Sequence, residues 1–310
     1  MDYIRFIKRE KWCNGMKTNP EIDNLTCISC GLCTKVCSKK ILKINKKTVE
    51  VLDFENWGCR QCGLCMSVCP TKSIRVSGSD YEQFTEMPRN TITYDDLMNL
   101  LVNRRSVRNF TNKSVSDDII EKVIKASTMA PIGAPPTNVN LLVIQGKEKL
   151  DSLYESVVTS WQRLIRSMKN PLFRLIFKRI AGANKYNSLI THALPAAKIY
   201  CEYANHNKNV FTFGAPAILL FHGEKIGVCI SENCWLSCSY ALTAAHALGL
   251  GTVFSGMIPP MINMNNSIKK QLGIPVNNDV FCCLMIGSPD PGIKFLRVIP
   301  RKLADVQYNC

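Results

Sequence analysis

The residues Cys27-Ile28-Ser29-Cys30-Gly31-Leu32-Cys33-Thr34-Lys35-Val36-Cys37 decide the organisation of the N-terminal part of the chain. The same arrangement returns 32 positions later as Cys59-Arg60-Gln61-Cys62-Gly63-Leu64-Cys65-Met66-Ser67-Val68-Cys69-Pro70. Each copy then runs into a short apolar stretch, residues 41–44 in the first and 73–76 in the second. The pattern predicts a duplicated unit of loop, short helix and strand.

The spacing of these eight cysteines is typical of two cubane iron–sulfur clusters. Three cysteines separated by two-residue gaps hold one cluster, and a fourth, three residues further on, reaches the other cluster. The predicted ligands are therefore Cys27, Cys30, Cys33 and Cys69 for the first cluster, and Cys59, Cys62, Cys65 and Cys37 for the second. Gly31 and Gly63 let the backbone pass close to the sulfurs and direct N–H groups at them.

Zinc binding is the alternative for these cysteines. Zinc knuckles and ribbons use two cysteine pairs, not four cysteines in a row twice over. From about Leu25 to Ser77 the sequence resembles the bacterial two-cluster ferredoxins, and this resemblance implies two 4Fe–4S clusters. One departure is Ser38, which stands where that family usually has proline, and it removes no ligand.

The composition argues against a secreted, disulfide-stapled protein. The chain has 310 residues, of which 46% are hydrophobic, so it can bury a hydrophobic core. It does not need its 16 cysteines to form stabilising disulfides. Its first 19 residues carry several basic side chains and no apolar run of signal length. We therefore expect a cytoplasmic protein that uses thiols for metal binding or catalysis.

A membrane span is considered because residues 233–268 contain no charged side chain. Glycines, polar residues and the Pro259-Pro260 pair interrupt this stretch. A buried helix followed by a buried strand explains it better than a span, so we expect no membrane span.

The pattern of the N-terminal repeat lapses between Ser77 and Asn90, where Gly78, Ser79 and Pro88 occur. We place a domain boundary there, with a two-cluster domain and its N-terminal extension at residues 1–85 and a second domain at 86–310. A capping box at Thr93–Asp96 predicts a helix in which Tyr94, Leu97, Met98 and Leu101 share one face. Ser116 is predicted to cap a second helix, whose core face carries Ile119, Ile120, Val123 and Ile124.

Strands are predicted at residues 139–144, 217–221, 252–254 and 281–286, with a long helix at 231–248 among the helices between them. The fold class is therefore α+β: a small duplicated ferredoxin-type domain followed by a domain with a central mixed sheet flanked by helices. No Gly-rich loop follows a first strand here, so a Rossmann dinucleotide site is not supported.

The segment Asn103-Arg104-Arg105-Ser106-Val107-Arg108-Asn109-Phe110 follows the first of these helices. Guanidinium groups bind phosphate oxygens bidentately, and a serine hydroxyl adds a donor, so the segment suits a phosphate. Clustered arginines also occur on solvated surfaces, and the segment alone does not decide between the two readings.

Five segments, taken in order, resemble the FMN-dependent nitroreductase family over about Tyr94 to Tyr308. They are Arg104–Arg108, Ala126–Gly133, Phe213–Pro216, the turn Ala244–Thr252 with Phe254–Met257 after it, and the pair Arg301-Lys302. The resemblance implies an obligate homodimer that binds FMN at its interface.

The same resemblance implies roles for individual residues. Those expected at the FMN phosphate and ribityl chain are Arg104, Ser106, Arg108 and Arg301, with Arg105 nearby. Those expected along the isoalloxazine are Pro131, Ile132 and Gly133. A backbone N–H of Gly256 or Met257 is expected at flavin N5, and no side chain is assigned as a catalytic acid or base. Where the family commonly has serine, asparagine and glutamine, this chain has Ile132, Pro135 and Thr137, so we expect a more apolar substrate face.

The formal net charge is +15. Two clusters and a flavin phosphate would lower it to about +9. The remaining basic surface suits an acidic redox partner or an anionic substrate, whereas no recognition motif supports nucleic-acid binding.

Several residues receive no role. Cys229, Cys234 and Cys238 have no standard metal spacing and are expected in the core, as is the Cys282-Cys283 pair. Cys13, Cys201 and Cys310 stay unassigned. The basic, amphipathic stretch 161–180 is expected to be a lid or a helix pair broken at Pro171, with a membrane or partner surface as the alternative.

The combined prediction is an iron–sulfur flavoprotein oxidoreductase. Electrons from a reduced redox partner would pass through two 4Fe–4S clusters to FMN and on to a small organic acceptor such as a nitroaromatic or a quinone. Two alternatives stay open: NAD(P)H reduces the flavin and electrons leave through the clusters, or the chain is a non-catalytic redox carrier or sensor.

Overall fold

The computed structural model describes residues 19–45, 48–52, 58–133 and 138–307. The described chain forms two compact units: an N-terminal unit within residues 1–90 and a C-terminal unit within residues 91–133 and 138–310. Residues 134–137, Cys13 and Cys310 lie outside the described residues.

The N-terminal unit consists of short helices and two-stranded sheets. In chain order its elements are β1 (Glu21–Ile22), α1 (Leu32–Val36), β2 (Leu42–Asn45), β3 (Thr48–Val51), α2 (Leu64–Ser67), β4 (Ile74–Arg75) and a 3₁₀ turn (Tyr81–Gln83). The strand β1 pairs antiparallel with β4, and β2 pairs antiparallel with β3.

The duplicated sequence is repeated in the backbone. Gly31 and Gly63 precede α1 and α2 with φ angles of 72° and 73°, a left-handed conformation that glycine adopts without steric cost. Two further pairs that are 32 residues apart also have positive φ angles, namely Ser29 (54°) with Gln61 (55°) and Lys40 (55°) with Lys72 (56°). The predicted duplicated unit of loop, short helix and strand is therefore confirmed.

The C-terminal unit is built from nine described α-helices and a four-stranded sheet. Its helices are α3 (Tyr94–Asn103), α4 (Asp117–Ser127), α5 (Lys147–Ser167), α6 (Pro171–Ala181), α7 (Ala183–Ser188), α8 (Leu194–Asn205), α9 (Ile230–Ala247), α10 (Pro259–Met264) and α11 (Asn266–Gln271). A π-helical turn, Leu189–Ala193, joins α7 to α8. The strands are β5 (Asn140–Gln145), β6 (Ala217–Glu224), β7 (Gly251–Phe254) and β8 (Asn278–Gly287).

The sheet has the strand order β5-β6-β8-β7. Its three pairings are antiparallel, with Leu219 opposite Leu284 in the two central strands. We predicted a mixed sheet; in the described residues, parallel pairing is confined to an isolated bridge between Ser106 and Thr252 at the β7 edge.

Side chains alternate between the two faces of this sheet because the strand repeat is two residues. Ile218, Leu220 and Met285 face a core that α5, α8 and α10 complete. Leu219 and Leu284 face the other core, together with α4 and α9. The predicted arrangement of a central sheet flanked by helices is confirmed.

The predicted capping box of α3 and the predicted helix break at Pro171 are both present, but α3 packs little against the rest of its unit. The capping box of α3 is confirmed, since Thr93 Oγ1 accepts from the Asp96 N–H at 3.2 Å, but α3 has no buried residue and Tyr94 is 74% exposed. Its contact with α9 is limited, and Leu97 and Leu101 on its apolar face are exposed. The break at Pro171 is confirmed: α5 ends at Ser167, and Asn170 caps α6.

The uncharged stretch 233–268 forms the buried helix α9 and the strand β7, as predicted. Within the described ranges, no helix has the length and apolar character needed to cross a bilayer. Cys201, Cys234, Cys238, Cys282 and Cys283 are buried in the cores, whereas Cys229 is exposed at the N-terminus of α9.

Candidate functional site

The N-terminal unit holds two small cavities of similar size. The cysteines that line the first cavity are Cys27, Cys30, Cys33 and Cys69. The cysteines that line the second are Cys37, Cys59, Cys62 and Cys65. The fold thus brings together the two sets of four predicted from the spacing, including the exchange of the fourth cysteine between the two repeats.

Six of the eight cysteines around the two cavities are buried or half-buried, whereas Cys30 and Cys62 are exposed. Burial opposes ionisation of a thiol. Burial raises the pKa of Cys65 to about 12, and the neighbouring Cys59 and Cys62 add to this shift. Burial also raises the pKa of Cys33 and of Cys59. A metal bound by thiolate sulfur must therefore supply the free energy of deprotonation, as metal–thiolate bonds do.

Backbone N–H groups point at the sulfurs in both cavities. The Gln61 N–H donates to Cys59 Sγ at 3.2 Å, and the Ser73 N–H donates to Cys69 Sγ at 3.3 Å. Although burial opposes it, the Ser73 N–H, the Thr71 hydroxyl and the N–H groups of Thr71 and Ile74 lower the pKa of Cys69. Such donors stabilise negative charge on sulfur, which suits an anionic iron–sulfur cluster.

The arrangement of these side chains does not suit a single metal ion. In the portions of the chain that the structure describes, which include all eight cysteines, no three Cys, His, Asp or Glu residues are close enough to hold one metal ion. The four sulfurs of each set instead surround a cavity.

The arginine segment of the C-terminal unit runs beside the edge strand β7. Ser106 forms a bridge with Thr252, and the Val107 N–H donates to the Thr252 carbonyl at 3.0 Å. A Cβ on Gly251 would lie 2.8 Å from the Val107 side chain, so only glycine permits this close approach. The strand β7 thereby fixes the position of the arginine segment. The same strand leads directly into the loop that contains Gly256 and Met257.

Several predicted phosphate ligands are close enough to repel one another. Burial lowers the pKa of Arg104, and the charges of Arg301 and Arg105 lower it further. Burial also lowers the pKa of His246, with Arg104 and Arg105 adding to the shift and a hydrogen bond to the Leu100 backbone opposing it. Among the described residues no carboxylate forms an ion pair with these arginines. Uncompensated positive charge of this kind is favourable only when an anion is bound.

Two buried polar atoms at this place lack a hydrogen-bond partner within the described residues, namely Arg105 Nε and Thr252 Oγ1. Buried donors without partners are rare, and they fit a site that a polar ligand completes. The rest of the Arg105 guanidinium is already used: Nη1 donates to the carbonyls of Val102 and Arg104, the latter at 2.9 Å, and Nη2 donates to the Arg297 carbonyl at 3.2 Å. Arg105 therefore braces the end of α3 against the C-terminal segment. Arg108 lies over the Phe213 ring, 6.0 Å from its centroid.

The predicted isoalloxazine loop is held from α9. The Gly133 N–H donates to Oδ1 of Asn233 at 2.7 Å, and Nδ2 of Asn233 donates to Oδ1 of Asn138 at 3.0 Å. Asn233 is only 1% exposed, so these bonds form in a low-dielectric place. Pro131 and Ile132 precede this anchor, whereas Pro135 and Thr137 lie outside the described residues.

The Gly256–Met257 loop is held from α5. The indole N–H of Trp161 donates to the Met257 carbonyl at 2.9 Å, and the Met257 N–H donates to Ser255 Oγ at 3.3 Å. Gly256 is exposed, and a Cβ placed on it would meet no atom within 4 Å. The loop is thus held by a hydrogen bond from α5 and is exposed at Gly256.

Sequence reasoning did not identify three residues of this site: Trp161, Asn233 and His246. Trp161 appeared only as part of the basic amphipathic stretch 161–180. A polar residue on the buried face of an otherwise apolar helix is the signal that points to Asn233. Its partner, Gly133, is 100 residues away in sequence and could not be found from local patterns.

Comparisons with known proteins match both halves of the chain. The model of the nitroreductase family matches residues 101–288, and the model of the 4Fe–4S dicluster domain matches residues 26–73. A protein from Archaeoglobus fulgidus named "Putative NADH dehydrogenase/NAD(P)H nitroreductase" is 22% identical over 195 residues, which cover 63% of this chain and 86% of that protein. A protein of the same name from Methanothermobacter thermautotrophicus is 21% identical over 203 residues, 65% of this chain and 82% of that protein.

A solved structure with a similar fold is a nitroreductase with bound FMN from Bacteroides fragilis. It superposes with a TM-score of 0.53 at 17% sequence identity, covering 69% of this chain and 98% of that chain. At this identity the likeness establishes the fold of the C-terminal unit.

Proposed function

Because the chain belongs to the nitroreductase family and carries a 4Fe–4S dicluster domain ahead of it, we propose that it is an iron–sulfur flavoprotein oxidoreductase that accepts electrons from a reduced redox partner and reduces a small organic acceptor. The acceptor class proposed is a nitroaromatic or a quinone. The observation that carries the proposal is the convergence of eight cysteines into two sets of four around two cavities of similar size.

The residues present fit both cofactors. The two sets of cysteines would hold two 4Fe–4S clusters, since backbone donors already point at Cys59 and Cys69. The half-buried Arg104 and the exposed Arg301 form no ion pair among the described residues, and with Ser106 they would hold the FMN phosphate. When bound, the clusters supply one-electron transfer and the flavin supplies two-electron hydride chemistry.

The chain's own residues position and shield these groups. Asn233 fixes the backbone of Gly133, and Trp161 fixes the backbone of Met257, so both loops that would meet the flavin ring are held by hydrogen bonds from buried side chains. Arg105 ties the start of the phosphate segment to the C-terminal segment. No acid–base side chain is needed, since preorganised N–H groups stabilise developing charge.

The proposal includes a homodimer with FMN at the interface. It is supported by apolar side chains that the single chain leaves exposed, among them Tyr94 at 74%, Leu296 at 82% and Leu303 at 75%. Light scattering on the flavin-loaded protein tests it, because twice the chain mass of 34.8 kDa is expected. A monomer that retains stoichiometric FMN would contradict the interface.

The experiment that tests the function starts from anaerobically purified protein. We expect about eight irons and about one FMN per chain. The Cys62→Ala variant should retain FMN, lose about half of the iron and show slower flavin reduction by a low-potential donor. If this variant were reduced as fast as the parent, the clusters would not be the entry route.

A second direction of electron flow is favoured by the names of the two relatives, which include NADH dehydrogenase and NAD(P)H nitroreductase. In this alternative NAD(P)H reduces the flavin and electrons leave through the clusters. Stopped-flow mixing with NADH discriminates the two directions, because bleaching of the flavin band before the cluster band supports the alternative. A panel of nitroaromatics and quinones without any turnover would instead indicate a carrier or sensor.

A further inference from the structure

The two cavities differ in charge although they belong to a repeat. Ile28 lines the first cavity, and its equivalent 32 residues later, Arg60, lines the second. Thr71 lines the first cavity, and its equivalent 32 residues earlier, Lys39, lines the second. At both positions a neutral side chain of the first cavity is replaced by a cation in the second.

The surroundings of the two cavities strengthen this difference. Among the described residues that line the first cavity there is no charged side chain, and its rim exposes the apolar side chains of Ile28 (63%) and Leu32 (40%). At the second cavity Arg60 and the ligand Cys62 are exposed. Lys35, two residues before Cys37, is exposed as well, and its equivalent in the second repeat is the uncharged Ser67. Lys40 does not distinguish the cavities, because its equivalent Lys72 is also exposed.

Cations next to a redox centre attract a negatively charged partner and speed its docking, and the effect decreases as salt screens the charges. A cluster whose edge is close to an exposed cationic rim is therefore the natural contact point for an acidic protein. An apolar, uncharged rim such as that of the first cavity has no such preference.

We propose that Lys39 and Arg60 form the docking site of an acidic electron-carrier protein, which delivers electrons to the cluster held in the second cavity. One electron leaves the reduced carrier, which is oxidised, and enters that cluster, which is reduced; no bond is formed or broken. This inference rests on the proposed function, since it names the class of the redox partner and its point of entry.

Binding can be measured separately from electron transfer. The probe is an oxidised, acidic [2Fe–2S] ferredoxin of the plant type, titrated calorimetrically into the cluster-loaded protein at low and at high salt. We expect binding that weakens steeply with salt, and a Kd at least about tenfold higher for Lys39→Glu/Arg60→Glu. The matched control is Lys72→Glu/Arg75→Glu, an equal change of charge at two exposed residues of the same unit, 5.9 Å from the Tyr81 ring, which should change Kd by less than about threefold.

Two further arms keep the test decisive. Iron content is determined for every variant, and Lys39→Gln/Arg60→Gln replaces the charge reversal if the latter fails to load its clusters. Reduction by the methyl viologen radical cation, followed by stopped flow, reports whether the clusters accept electrons at all. Parent clusters that the viologen cannot reduce would refute the proposed function, whereas reducible clusters with equal ferredoxin affinity in all variants would refute only the docking site.

A different occupant would also overturn the proposal. If the same two residues were required for binding to vesicles of anionic phospholipid while the ferredoxin did not bind, the rim would be a lipid contact. Salt-independent ferredoxin binding would equally exclude docking by charge.

Discussion

The indole N–H of Trp161 donates to the carbonyl oxygen of Met257 at 2.9 Å, joining the helix α5 to the loop after β7. Trp161 is 1% exposed, so the bond is shielded from water. The loop that it holds is the one whose N–H groups are expected at flavin N5. The bond therefore links the packing of a large core side chain to the position of the cofactor loop.

Replacing Trp161 with phenylalanine tests this link. Trp161→Phe keeps most of the apolar volume and leaves the Met257 carbonyl without its donor, which costs about 1–3 kcal/mol. We expect weaker FMN binding, measured by fluorescence titration of the flavin-free protein. Tyr154→Phe, on the same helix, is the control and should leave FMN affinity unchanged; equal affinities in both variants would contradict the role of Trp161.

Asn233 is expected to act on the other flavin loop. Asn233→Ala leaves the partly buried Gly133 N–H without its acceptor, which costs about 1–3 kcal/mol, and should lower both the free energy of unfolding and FMN affinity. The control is Asn263→Ala, which removes two hydrogen bonds of 2.8 Å between the Asn263 side chain and the backbone of Val280 in β8. That variant should lose stability alone; a parallel loss of FMN affinity in Asn263→Ala would show that the effect is not specific to the loop.

Arg104 is predicted to contribute a charge-assisted contact to the FMN phosphate. Arg104→Gln should weaken FMN binding by about 10- to 100-fold, the range of a hydrogen bond to a charged group. Arg163→Gln, which removes an exposed charge from α5, serves as the matched variant. Riboflavin, which lacks the phosphate, should bind the parent and Arg104→Gln equally; a loss of riboflavin affinity would place Arg104 elsewhere in the site.

The pH dependence of stability is expected to report on His246. Its pKa lies below the ordinary value of 6.5 because of burial first and Arg104 next, so the unfolded chain binds the proton more readily than the folded one. The flavin-free protein should therefore lose stability as pH falls from about 6.5 toward the depressed folded pKa. Arg104→Gln should raise the pKa of His246, measured by NMR titration, and shrink this loss. An unchanged pKa would contradict the proximity of the two side chains.

After removal of the clusters, the ligand cysteines are expected to react with an alkylating reagent at different rates. In the cluster-free protein, exposed Cys62 should react with iodoacetamide well before buried Cys65, whose pKa is raised to about 12, because the thiolate is the nucleophile. Mass spectrometry after limited alkylation measures the order. In the loaded protein both should be protected, and modification of Cys65 at the same rate with and without clusters would contradict its assignment as a ligand.

The N-terminal unit was predictable from the sequence because its determinants are local. The gaps between Cys27, Cys30 and Cys33 set how far three sulfurs lie apart, and the 32-residue repeat announces a second unit. The left-handed glycines Gly31 and Gly63 follow from the same local requirement. The strands β5 to β8 were also found, since long apolar runs are decided by burial.

Tertiary structure alone decided the parts of the site that depend on distant contacts. Gly133 and Asn233 are 100 residues apart, and Trp161 and Met257 are 96 apart, so no periodicity connects them. The shared apolar face of α3 was predicted, yet Leu97 and Leu101 are 45% and 46% exposed, because periodicity shows that a face is apolar but not what covers it. The sequence determined which residues bear the chemistry through their spacing, whereas the fold determined which buried side chains hold them in place.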